Sequence, residues 1–310
     1  MDYGLLIRRS FDIAWKYKTL WILGFFAAAY GSVGHLSDHL PDGSGGGWLE
    51  DCNPEIFEAI ENWITSTPGI IAIISIVGGL LLLALFIFIM HHISVAALIG
   101  GVYQIERGEG YKLKELFQLG ARYFWRFLGL FFIFFFIIGA FVVLLILPIV
   151  LAVTILGVVG LILLIPIIPI FFAGIFFLGN MYSLAQRDII AHETPVFDAI
   201  TEGYNLIIKH LSANIIVFLI VTGLQLAIII AGTIIIAMFA IPFYIIGINS
   251  TLILIILLVL IIPLFILIMI VVEGFLGTFF NSLMTLFYLE LRKLTPFQPK
   301  SPIPTYPTEN

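Results

Sequence analysis

Residues 127–186 form a run of 60 positions without one charged side chain. A single bilayer-crossing helix needs roughly 18 to 20 mostly apolar residues, so this run is long enough for two crossings and a turn. Glycine and proline gather at residues 148–160, where the turn is expected. Residues 69–89 and 252–272 are further uncharged stretches of crossing length. All of them are apolar on every face, whereas a membrane barrel alternates apolar and polar residues. Helices satisfy their own backbone groups in hydrocarbon, so the expected fold class is all-α and polytopic. Composition agrees: 61% of residues are hydrophobic and 11% charged, against about a quarter charged in soluble domains. A soluble globular fold is excluded.

Along the chain, residues 2–18 set Leu5, Leu6, Phe11 and Trp15 against Arg8, Arg9, Asp12 and Lys16, the pattern of a helix lying in the membrane surface. Arg8 and Arg9 before Phe11 resemble a twin-arginine signal, but Asp12, Lys16 and Lys18 interrupt the apolar region that follows. Residues 19–32 are therefore expected to be a first, short span rather than a cleaved leader. An insertion at 33–67 carries seven acidic residues and no Lys or Arg, and residues 54–65 within it have the spacing of an acidic amphipathic cap. The second span is expected to run from Pro68 to Tyr103, and a turn at 106–110 leads into a basic amphipathic segment from Lys112. Residues 186–195 read as a polar loop, 197–210 as another amphipathic segment, and 213–241 and 252–291 as two spans joined by 242–251. The whole of 1–295 is expected to be one integral membrane domain, followed by a proline-rich cytoplasmic tail at 296–310.

With six spans, all fourteen Lys and Arg residues fall on the side of the N-terminus. The positive-inside rule then places both termini in the cytoplasm of a multi-pass cell-membrane protein, with the acidic insertion outside. A seventh span, made by breaking the last stretch at Glu273 and Gly274, would export Arg292, Lys293 and Lys300 and is rejected on that ground.

Three segments align on a small residue: Ser10-FDIAW-Lys16, Gly120-ARYFW-Arg126 and Gly203-YNLII-Lys209. A cation stands six residues after the small one each time, and an apolar span follows. Ile7, Phe117 and Ile200, three residues earlier, are expected on the buried face. The chain therefore reads as three hairpin repeats, at about 4–105, 112–187 and 195–291, each opened by an amphipathic interfacial helix.

Lys16, Arg122, Arg126, Arg187 and Lys209 are the candidate contacts to lipid headgroups of the inner leaflet. Polar residues inside spans are functional candidates. By distance along their spans His91, Asn180 and Glu273 lie at the inner interface, and with His92, Asn281 and Ser282 they are candidates for a polar inner mouth. Arg187 and Asp188 are neighbours in sequence and so do not share a helix face; each is expected to bond elsewhere. His35, Asp38 and His39 have metal-ligand spacing, yet with one cysteine, Cys52, and no multi-residue ligand motif, neither a metal nor another cofactor is expected. No phosphate loop, zinc-protease motif or nucleophile elbow occurs. The cations follow the membrane line, which argues against nucleic acid and for membrane lipids and other membrane proteins as partners.

The stretch NMYSLAQRDIIAHETPVFDAITEG at 180–203 resembles the linker and amphipathic helix of the glycerophosphoryl diester phosphodiesterase membrane-domain family, a group of prokaryotic multi-span proteins. The resemblance implies the span-and-helix plan. It implies no phosphodiesterase activity, because that family's hydrolase is a separate barrel domain for which 310 residues leave no room. The expected function is a non-enzymatic module that organises lipids or partner proteins. The alternatives are a transporter or permease, and an intramembrane enzyme in which His91, His92 and Glu273 converge.

Overall fold

The computed structural model describes residues 1–36, 62–249 and 251–297. Among these, every regular element is helical. Helix α1 (Tyr3–Lys16) is capped by Asp2, whose Oδ1 accepts from the Leu5 amide at 3.0 Å. Helix α2 (Leu20–Leu36) follows. Helix α3 (Thr67–Glu106) is capped by Ser66, whose hydroxyl accepts from the Gly69 amide at 3.2 Å, and carries a proline in its first turn. Helix α4 (Leu113–Leu156) passes through a 3₁₀ stretch, Gly157–Leu163, into α5 (Leu164–His192). The reversal is made at Gly157, whose φ of +61° is open to glycine at no steric cost. Helices α6 (Val196–Lys209), α7 (Leu211–Asn249) and α8 (Thr251–Leu294) complete the chain.

Two expected loops are helical. Residues 186–192 belong to α5, leaving only 193–195 outside a helix, because Asp188 and His192 are a polar pair one turn apart on an inward face rather than solvated loop residues. Residues 242–249 extend α7, and Pro148, Pro169 and Pro263 also lie inside helices. In an apolar setting a kinked helix loses fewer backbone hydrogen bonds than a loop would. The 54–65 cap is described only at 62–65, which form one helical turn before Ser66. Asp38, His39 and the side chain of His35 lie outside the described residues, as does the tail from 298.

Four stretches are long and apolar enough to cross a membrane: Thr67–Glu106, Leu113–His192, Leu211–Met238 and Pro263–Leu294. The second contains both α4 and α5, which fold back on each other. Phe134 meets Tyr182 with ring centroids 5.3 Å apart, and a Cβ on Gly174 would lie 2.1 Å from the Phe141 ring. At 17 residues, α2 is shorter than these four.

The chain divides into two compact units. One comprises Met1–Asp12, Arg126–Ile256 and the described residues from Ser282 onward; the other comprises the described parts of Ile13–Trp125 together with Leu257–Asn281. In the latter, α2 and α8 are joined by their backbones. A Cβ on Gly24 would fall 2.1 Å from the Gly274 carbonyl oxygen, and one on Gly277 would fall 2.1 Å from the Gly24 carbonyl. The Thr278 hydroxyl seals this contact, lying 3.0 Å from the Leu20 carbonyl and 2.8 Å from that of Gly274. Small residues that let helix backbones touch are the usual means of helix association in lipid.

Among the described residues, burial is concentrated at one end of the long helices. In α3, Gly69 apart, the buried residues are His92 and Ser94–Val102, while large side chains from Ile70 to Phe86 are exposed. In α5 they are Asn180, Met181 and 184–189, and in α4 none of the large side chains after Phe134 is buried. The packed ends are those nearest the charged residues.

The three amphipathic segments share one burial register. Leu6, Leu116 and Ala199 are buried, as are Ser10, Gly120 and Gly203, and Ile13, Tyr123 and Leu206. These positions are −4, 0 and +3 relative to the small residue. Ile7, Phe117 and Ile200, expected to face inward, are half-buried at the edge of that face; the seam runs one residue earlier. The small residue is needed at two of the three sites. A Cβ at Gly120 would lie 2.2 Å from the Ile93 carbonyl, and one at Gly203 would lie 3.1 Å from that of Met181.

Candidate functional site: a buried aspartate cluster

Asp188 and His192 sit one turn apart near the end of α5, and Tyr288 and Arg292 one turn apart near the end of α8. Such i, i+4 spacing puts both members of each pair on one face. The two faces meet within one unit. The Asp188 side chain has no solvent exposure and that of Arg292 has 9%. Asp188 Oδ1 receives the Arg292 guanidinium and the Tyr288 hydroxyl at 2.6 Å, with His192 Nδ1 at 3.3 Å. Its Oδ2 accepts from the Thr194 hydroxyl at 2.9 Å. Tyr288 in turn accepts from Arg292 Nε at 3.0 Å and has His192 Nδ1 at 3.2 Å.

Around this centre, Arg292 Nη1 donates to Glu202 of α6 at 3.1 Å, and the His192 ring stacks on Phe297 with centroids 4.1 Å apart. Both oxygens of this buried carboxylate are thus supplied with donors, one of them a charged guanidinium. The arrangement ties α5, α6, α8 and the residues after α8 together at one point. Glu193, which ends α5 with a left-handed φ of 55°, is held by Arg126, whose Nη1 donates to its carbonyl at 2.8 Å.

Beside the cluster lies an open cleft of about 370 Å³, lined by Glu202, Asn205, Leu206, Lys209, Arg292 and Thr295 among others. The Thr295 hydroxyl is 2.8 Å from His210 Nε2. A second cleft, in the other unit, lies at the α3–α4 turn, where the Thr19 and Tyr111 hydroxyls are 2.6 Å apart. Burial pushes the Tyr111 phenol above the ordinary tyrosine value, with the Thr19 hydrogen bond pulling the other way.

The headgroup candidates take different places. Lys16 and Arg122 are exposed, each beside an aromatic ring at 5.6 and 5.7 Å, and Lys209 is exposed at the first cleft. Arg126 spends a donor on Glu193. Arg187 is 3% exposed, with Nη1 donating to the Ser183 carbonyl and hydroxyl at 2.6 and 2.8 Å, so it points into the packing rather than toward headgroups.

Of the inner-mouth candidates, His91 and His92 have ring centroids 5.1 Å apart, and His92 Nδ1 lies 2.9 Å from the Phe88 carbonyl. Asn180 and Asn281 donate to their own helices, to Phe176 at 2.8 Å and Gly277 at 3.0 Å. Glu273 is half-buried. Ser282 is fully buried, and its hydroxyl has no hydrogen-bond partner among the described residues.

Sequence reasoning saw that Asp188 must bond away from Arg187 but missed Tyr288, Arg292, Thr194 and Glu202 as its surroundings. The signal was present: two polar i, i+4 pairs, Asp188 with His192 and Tyr288 with Arg292, at the ends of otherwise apolar helices. No grouping of His, Cys, Asp and Glu fit to hold a metal occurs among the described residues. Against protein-family models, curated proteins and solved structures alike, the chain has no match.

Proposed function

We propose that this chain is a multi-pass membrane protein of six spans in three hairpin repeats, and that it works as a non-enzymatic module organising lipids at the cytoplasmic face. The observation that carries this reading is the outward face of the three amphipathic segments. Trp15 is 59% exposed, Trp125 75% and Ile208 53%, and each directly precedes a cation in the aligned position, Lys16, Arg126 and Lys209. Phe11, Phe197 and Tyr204 add to the same outward surface. Exposed aromatic side chains alternating with cations suit the headgroup layer of an anionic leaflet.

The shared burial register at −4, 0 and +3 supports descent of the three segments from one unit. This span-and-helix plan resembles that of the glycerophosphoryl diester phosphodiesterase membrane-domain family.

The test is lipid co-purification in mild detergent. Changing Lys16, Arg122 and Lys209 together to Gln is expected to reduce retained anionic lipid by more than half, and unchanged retention sinks the reading. Orientation is checked separately: a membrane-impermeant maleimide applied to intact cells labels Cys52, the only cysteine. Labelling only after lysis reverses the topology.

A further inference from the structure

The cleft beside the Asp188 cluster has a composition that selects a ligand. Glu202, Asn205 and Lys209 stand at i, i+3 and i+7 on α6 and therefore along one helix face. Arg292 closes one end, but its charge is already met by Asp188 and Glu202. Only Glu202 Oε2 is engaged by Arg292, leaving Oε1 as an acceptor. Neither Lys209 nor Asn205 has a hydrogen-bond or ion-pair partner among the described residues. Two cations, Arg292 and Lys209, thus face two carboxylates, Asp188 and Glu202, and the balanced site carries separated charges: a positive end at Lys209 and a negative end at Glu202. A dianion would be repelled by Glu202 and a plain cation by Lys209.

We infer that this cleft receives a phosphate ester bearing a primary amine, with the phosphate on Lys209 and Asn205 and the ammonium on Glu202 Oε1. Lysine is a point-charge phosphate ligand, an amide adds a directed donor, and a carboxylate accepts from each N–H of a primary ammonium. The adjoining stripe of α6 favours a lipid as the source. Tyr204 and Ile208, one turn apart and each one residue before a cleft residue, are 48% and 53% exposed. An amphiphile lying along α6 meets apolar surface beside the polar stripe. The inference rests on the lipid-organising reading and names its lipid.

The experiment is native mass spectrometry of the full chain from nanodiscs containing equal parts phosphatidylethanolamine, phosphatidylcholine and phosphatidylglycerol, with soluble phosphoethanolamine as competitor. Retention of phosphatidylethanolamine over phosphatidylcholine is expected, because a quaternary ammonium has no N–H for Glu202. Lys209→Gln and Asn205→Leu are each expected to lower that retention by about fivefold, and Glu202→Gln to erase the preference over phosphatidylglycerol. Circular dichroism confirms that each variant is helical, and the two independent α6 variants guard against loss of one to misfolding. Equal retention of the ethanolamine and choline lipids, or indifference to both Lys209→Gln and Asn205→Leu, overturns the inference. If total lipid retention survives in that case, the broader reading stands. Competition by millimolar soluble phosphoethanolamine as effective as that by the lipid assigns the cleft to the free phosphoamine instead, which overturns the lipid source.

Discussion

Two places in this molecule hold helices together by opposite means. At Asp188 the contact is made by long polar side chains that reach across and saturate one carboxylate. At Gly24, Gly274 and Gly277 it is made by having no side chains at all, so that two backbones touch. A polar lock fixes which residues meet and tolerates no missing partner. A glycine contact is permissive of partner but not of volume. The comparison teaches that failure should look different at the two sites, and substitutions can separate them.

The largest effect is expected from Asp188→Ala, which takes from Arg292, at 9% exposure, its fully buried partner and leaves it only the Glu202 carboxylate beside a void. Breaking a buried pair costs about 3–5 kcal/mol, read as a collapse of the thermal midpoint in nanodiscs. Adding Arg292→Met to that variant should restore part of the loss, since removing both charges costs less than removing one. No recovery would mean the cluster is not a charge lock. Gly277→Val comes next. Its new Cβ would meet the Gly24 carbonyl at 2.1 Å, for a cost of about 1–3 kcal/mol, and here no second-site charge removal should help. Smaller again is Thr194→Val, which leaves Asp188 Oδ2 without its 2.9 Å donor, at about 1 kcal/mol. Smallest is Gly223→Ala on α7, where a Cβ meets nothing within 4 Å; the midpoint should hold or rise slightly, because alanine is the better helix former. A large loss there would show that Gly223 packs against something beyond the described residues.

How much was legible beforehand divides along the same line. Helix existence was written in the uncharged runs, and α3 and the amphipathic α1 and α6 begin and end within a few residues of where hydropathy puts them. The helical state of 186–192 was not, because a cluster of polar letters looks the same whether it faces water or a buried partner one hundred residues away. Asp188 meets Tyr288 and Arg292 across such a separation; the two i, i+4 pairs mark each helix end as polar, but no local pattern encodes that they meet. Local pattern put the turn of the long uncharged run within 148–160 but not its exact place: Pro148 stays inside α4, and the reversal falls at Gly157.

The gathering of buried residues at one end of α3 has a mechanical meaning. The helix has 40 residues, which at 1.5 Å each is about 60 Å, and it is gripped chiefly over Ser94–Val102. A rod clamped near one end is a lever. A tilt of one degree at the grip moves the far tip by about 0.7 Å over the roughly 40 Å from Ser94 to Thr67, so a small settling of side chains among His92, Phe124 and Leu119 is magnified at the far end of the helix.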